Sequence, residues 1–190
     1  VAINEWGGEA MGGGFDPNLI HDHYSFPHTS GHGHEMTPEE QTQMLGLAPT
    51  LKEMVQRHNL YYHVKERNCD REDHIVVGLH IEDTVCGAMY FGYGGAGTGG
   101  DRGLVNPDVE NMIMKYGPET ILLLVTASRD TIARRMKESP HPNGILQEED
   151  IDIALRLFSE EFATSRIPRK LTIDTTDRTV QESVAEFART

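Results

Sequence analysis

The chain has 190 residues, 37% hydrophobic and 25% charged, with a formal net charge of -13. That length suits one compact domain with at most a small appendage, and the acidic balance disfavours general binding to nucleic-acid phosphates. The longest apolar run, Ile121 to Val125, is too short to cross a bilayer, and the two cysteines, Cys69 and Cys86, form no spaced motif.

Residues 1–36 differ from the rest. They hold Gly7, Gly8, Gly12, Gly13, Gly14, Gly31 and Gly33, and half of the ten histidines. A loop-rich segment is expected, with a short strand at Val1–Asn4. The chain opens on Val1, which suggests a processed, trimmed or partial start. Residues 37–190 read as one α/β domain. Thr37-Pro38-Glu39-Glu40 is a helix start: Thr caps, Pro suits the first helical position, and Glu40 completes a capping box. Met44, Leu47, Leu51, Met54 and Val55 follow at helical spacing, and Pro49 should kink or split the helix.

His74 to Ile81 reads as a buried strand. Gly92 to Gly103 reads as a flexible loop, and a helix is expected over Pro107 to Lys115. Ile121 to Val125, apolar on both faces, should be a buried strand of a parallel sheet. Ser128 should cap a helix running to about Lys137. Glu148-Glu149-Asp150 opens a helix whose core stripe is Ile151, Leu155, Phe158 and Phe162. Lys170 to Asp174 is a third strand, and Thr179 with Glu182 can box the start of a last helix. This order implies a three-layer α/β fold, a parallel sheet with flanking helices.

From residue 74 onward the pattern resembles the nucleoside and nucleotide kinase branch of the P-loop fold, the thymidylate- and deoxynucleoside-kinase-like enzymes. The segment that carries this runs from Glu119 to Phe187: a buried strand ending in a small-residue turn, a helix with arginines, a second helix, then a strand ending in Ile173-Asp174. The resemblance implies phosphoryl transfer from ATP, with magnesium, to a nucleoside-like acceptor. It also implies roles by position. Arg134 and Arg135, with Lys137, would clamp the moving phosphoryl, because a guanidinium fork pairs with phosphate oxygens. Asp22, Glu82 or Asp83 would hold magnesium or accept the acceptor's proton. Asp174 and Thr175 would lie beside the nucleotide base. The arginine that the family places after its strand-end acid is missing here, and Asp101-Arg102 offers that charge from beyond the glycine loop.

The phosphate-binding loop itself is not intact. It needs G-x-x-x-x-G-K-[ST], and none of the five lysines, Lys52, Lys65, Lys115, Lys137 and Lys170, follows a glycine. Gly7 and Gly12 keep the outer spacing, but Gly13 and Gly14 stand where Lys and Ser/Thr belong. Gly94 to Gly100 also lacks lysine. An incomplete or altered N-terminus is therefore expected, since the strand before this loop lies mid-sheet in the family, and Val1–Glu5 is one candidate to fill it.

His21, His23, His32 and His34, with Asp22, form two His-x-His pairs that suit zinc, copper or nickel. A polar acceptor loop is the competing reading. Three functions remain open: an ATP-dependent small-molecule kinase, a non-catalytic P-loop-like ligand-binding domain, and a metal-dependent enzyme. The expected setting is cytoplasmic, with a small-molecule substrate, neither nucleic acid nor membrane as partner, and dimerisation as in the family.

Overall fold

The computed structural model describes residues 18–23, 26–27, 37–65, 74–140 and 144–189. They belong to two compact units that divide between Thr120 and Ile121.

In the unit Asn18–Thr120, β1 (Asn18–His23) pairs in parallel with β3 (His74–Val77), from Asn18 opposite His74 to His21 opposite Val77. The two-residue β2 (Phe26–Pro27) pairs with β1 antiparallel. Helix α1 (Pro38–Leu45) starts on the expected capping box: the Glu40 amide donates to Thr37 Oγ1 at 3.3 Å, and the Thr37 amide donates to Glu40 Oε2 at 2.8 Å. Pro49 splits the helical stretch outright. It sits in the first turn of α2 (Pro49–His63), where its missing N–H costs nothing.

Helix α2 turns a different face inward from the one its apolar spacing suggests. Leu51 and Met54 are exposed, while Glu53, Gln56, Leu60 and His63 are buried. The reason is Arg102, a fully buried arginine that donates to Glu53.

Strand β3 ends at Val77 and does not run on to Ile81. Gly78 (φ +91°) and Leu79 (φ +63°) turn the backbone, and α3 (His80–Cys86) begins at once. Leu79 is the one non-glycine residue of the described chain with positive φ, a costly conformation for a branched side chain. After α3 the chain makes a π-helical turn (Gly87–Phe91). Helix α4 (Arg102–Tyr116) starts five residues before the expected Pro107, because Asp101 Oδ1 caps it by accepting from the Gly103 amide at 2.9 Å. Ile81, Val85, Phe91, Tyr93, Val105 and Val109 form the core here.

The glycine-rich stretch between α3 and α4 is tied across by hydrogen bonds. The Arg102 amide donates to Gly94 O at 3.0 Å, and the Gly97 amide donates to Asp101 Oδ2 at 2.8 Å. Gly100 has φ +75°, and a Cβ there would collide with the Glu53 carboxylate, whereas one at Gly97 (φ +73°) would meet open space. Both alanine variants share the backbone strain, but only one adds the collision. Gly100→Ala should therefore lose about 1–3 kcal/mol and Gly97→Ala about 1 kcal/mol in urea unfolding. Equal losses would show that Glu53 does not fill this space.

In the unit from Ile121 onward, β4 (Ile121–Thr126) and β5 (Arg169–Asp174) pair in parallel, from Ile121 opposite Arg169 to Thr126 opposite Asp174. Between them run α5 (Arg129–Glu138), a 3₁₀ turn (Glu148–Asp150) and α6 (Ile151–Thr164); α7 (Val180–Phe187) follows. Ser128 caps α5, and Thr179 with Glu182 boxes α7, both as the sequence suggests. Ile151, Ala154, Ile167 and Ile173 are buried.

The protein is thus mixed α/β with parallel strand pairing. The single three-layer sheet expected from the three strands is not formed among the described residues, which make two ladders, β2-β1-β3 and β4-β5. Strand β4 shows the consequence. Its composition suits burial on both faces, yet Ile121 is 50% and Val125 59% exposed. The segment expected to stand mid-sheet, Val1–Glu5, lies outside the described residues.

Candidate functional site

The carboxyl ends of β1 and β3 lie at one end of their ladder because the strands are parallel. The register ends at the His21–Val77 pair, and the backbone of Asp22 follows one step past it along β1. Beyond Gly78 the chain enters α3, so Glu82 and Asp83 sit on the first turn of a helix and not on a strand end. Glu82 still returns to that end: a Cβ on Gly78 would strike its carboxylate, so glycine lets the acid lie against the backbone where β3 stops. Burial raises the proton affinity of Glu82 above the ordinary carboxylate range, and the charge of Asp83 adds to the rise. Glu82 makes no hydrogen bond or ion pair with the described residues.

Asp83 is differently placed. Its Oδ2 accepts from Arg102 Nε at 2.5 Å and its Oδ1 accepts from Tyr93 Oη at 2.6 Å. Burial pushes the carboxyl up; Arg102 and the Tyr93 hydroxyl pull it back without cancelling the rise. Both oxygens of Asp83 are thus engaged by Arg102 and Tyr93.

Arg102 closes the network. Its side chain is 0% exposed, and Nη1 donates to Glu53 Oε1 at 2.8 Å and to Gly100 O at 2.9 Å. Burial opposes its charge, but Asp83 and Glu53 outweigh that and hold the guanidinium more firmly protonated than usual. The charge displaced beyond the glycine loop in sequence is therefore brought back to the acid pair in space. Two further rungs join the same helices. Asn106 Nδ2 donates to Thr84 Oγ1 at 2.7 Å, and His80 Nε2 lies 3.1 Å from Glu110 Oε1.

Sequence reasoning missed Glu53, His80, Tyr93, Asn106 and Glu110. A signal existed for three of the ladder's members: Arg102, Asn106 and Glu110 are spaced four apart, a polar stripe beside Val105, Val109 and Ile113.

In the other unit, the turns after β4 and β5 are tied together at the ladder's carboxyl end. The Thr175 amide donates to Thr126 O at 2.8 Å, and the Ser128 amide donates to Thr176 Oγ1 at 2.8 Å. Asp174 Oδ1 accepts from the Thr176 hydroxyl at 2.6 Å and from its amide at 2.8 Å, which hold this carboxyl below its usual range. Arg135 reaches the same turn: Nη1 donates to Thr175 Oγ1 at 2.9 Å and Nη2 to Thr175 O at 2.6 Å.

The other two cations of the expected clamp do something else. Arg134 pairs with Glu138 at 2.9 Å and Lys137 with Glu148 at 2.8 Å, all exposed. Such surface pairs contribute little to stability, so both cations can leave them cheaply.

Gly7, Gly12, Gly13, His32 and His34 lie outside the described residues, and of His21, Asp22 and His23 only the backbone in β1 is described. Among the described residues no three His, Cys, Asp or Glu side chains gather as a metal site, and no helix is long and apolar enough to cross a membrane. Gly94 to Gly100 folds around Arg102 and Glu53, so the interior of that turn holds protein groups. Comparison with protein-family models, with curated proteins and with solved structures finds no match to this chain.

Proposed function

We propose that the protein is a small-molecule kinase that moves a phosphoryl group from ATP to a nucleoside- or nucleotide-like acceptor. The observation that carries this reading is Glu82: a half-buried acid with raised proton affinity and no partner among the described residues, laid against a strained strand end. Strain and shifted acids gather where chemistry is done.

Phosphoryl transfer asks a protein to position groups and neutralise oxygens more than to form bonds itself. As the acceptor oxygen bonds to phosphorus, its proton passes to Glu82, and the bond to the ADP oxygen breaks. Burial suits Glu82 to this task, because a base with raised proton affinity is better matched to neutral pH. Magnesium would supply charge neutralisation on the phosphates, and with Glu82 taking the proton, Asp22 is the acid read as holding it, directly or through water. Within the unit from Ile121 onward, the resemblance implies the Asp174-Thr175-Thr176 turn as a nucleotide-base flank and Arg134 and Lys137 as phosphate-binding cations.

A second reading is a nucleotide-binding domain without transfer, favoured by the lack of any lysine after a glycine. One assay separates the two. The full protein is given ATP and magnesium with a panel of nucleosides and nucleoside monophosphates, and ADP release is followed. Acceptor-dependent turnover of about 1 s⁻¹ or more supports the kinase. ATP binding without turnover leaves the second reading, and absence of ATP binding removes both.

A further inference from the structure

The family pattern makes Arg135 a phosphate clamp, but its geometry gives it another task. Its side chain is part-buried, and both terminal nitrogens are spent on one residue, Thr175, forty positions away. Thr175 Oγ1 in turn donates to Thr126 O at 3.0 Å, so the arginine, the hydroxyl and the end of β4 form a chain. On the far side of the turn, Thr131 Oγ1, on the same helix α5, donates to Thr176 O at 3.3 Å. The two residues following Asp174 are thus gripped by one helix. A fork of two parallel donors is what fixes a carbonyl and a hydroxyl together, and lysine cannot reproduce it. Arg134, one position earlier, shows what the unengaged alternative looks like: an exposed pair with its own helix neighbour.

We propose that Arg135 is a positioning residue that holds the Asp174-Thr175-Thr176 turn in the shape that receives the base of a nucleoside triphosphate. This rests on the kinase reading for the identity of the ligand, but not for the grip itself. A clamp on the moving phosphoryl acts in the transition state, so its loss lowers kcat. A holder of the base-flanking turn acts equally on ground and transition states, so its loss raises KM and leaves kcat near its original value.

The test uses the full protein with Arg135→Ala, Arg135→Lys and Thr175→Val. In the ligand-free protein, amide exchange at Thr175 should quicken at least about tenfold in Arg135→Ala and less in Arg135→Lys, as the turn opens locally. With ATP as probe, Kd and KM should rise about tenfold in Arg135→Ala, with kcat within about threefold, and Thr175→Val should follow in the same direction. A fall in kcat at constant KM would overturn the proposal in favour of the clamp. Unchanged exchange in Arg135→Ala would overturn the grip. If the unaltered protein does not bind ATP, the kinase reading and the assignment of the ligand fall together, while quickened exchange would still establish that Arg135 holds the turn.

Discussion

Arg102→Met should destabilise the unit Asn18–Thr120 by about 3–5 kcal/mol, the usual cost of removing one partner from a buried ionic network. Methionine fills much of the same space, so the loss is electrostatic more than steric. It leaves buried Asp83 with the Tyr93 hydroxyl alone and buried Glu53 with the longer Arg57 pair alone, and it leaves the Gly100 carbonyl without its donor. It should also change how stability depends on pH. Asp83 already has a raised proton affinity from burial, held in check by Arg102 and Tyr93. Without the arginine the folded value rises further. A carboxyl whose folded value lies above its unfolded one gives its full stability below the unfolded value and loses it as pH climbs through the folded value. The deficit of Arg102→Met should therefore be smallest in acid and largest at neutral pH.

Urea unfolding followed by NMR at amides of α3 and α4 measures this without interference from the other unit. Adding Asp83→Asn and Glu53→Gln to Arg102→Met should recover about half of the loss or more, because an uncharged cluster no longer needs the cation. A loss under about 1 kcal/mol in the single variant would mean that water reaches the network and that Arg102 is not its keystone.

Glu82→Gln should lower acceptor-dependent kcat by about 10²–10⁴-fold, the range for losing a positioned base. Stability should move the other way. Glu82 binds its proton more tightly when folded, first because burial penalises its charge and then because Asp83 stands beside it. Its contribution is complete below the ordinary carboxylate range and is lost as pH rises through its raised folded value. At neutral pH the wild-type fold thus carries a destabilising charge that glutamine removes. Glu82→Gln should be as stable as wild type at low pH and more stable near pH 7, a trade of stability for function. Thermal unfolding across pH together with initial rates checks both halves. A variant that is inactive and also less stable at neutral pH would make Glu82 a structural acid, and the kinase reading would lose its base.

Much of the local structure was legible from residue chemistry alone. Thr37-Pro38-Glu39-Glu40 and Thr179 to Glu182 announce capping boxes, and both form. Ser128 caps, Pro49 breaks, and Ile121–Val125 with Lys170–Asp174 are strands, because caps, proline and short apolar runs act within a few residues. Glu82 and Asp83 stood out as acids following an apolar run, and the placement of Glu82 against the end of β3 depends on a local glycine.

What sequence could not show is which buried polar groups meet. Leu51 and Met54 mark one face of α2, yet the other face is buried, because Glu53 must reach an arginine 49 positions away. Arg135 reads as a free cation on a helix until β5 brings Thr175 beside it. Strand length misled as well: the apolar run from His74 to Ile81 hides the positive φ of Leu79, which turns the second half into helix. Periodicity and capping depend on neighbours along the chain, so one sequence reports them. Desolvated ion pairs and backbone strain depend on what folding brings together across the chain, and only the tertiary structure decides those.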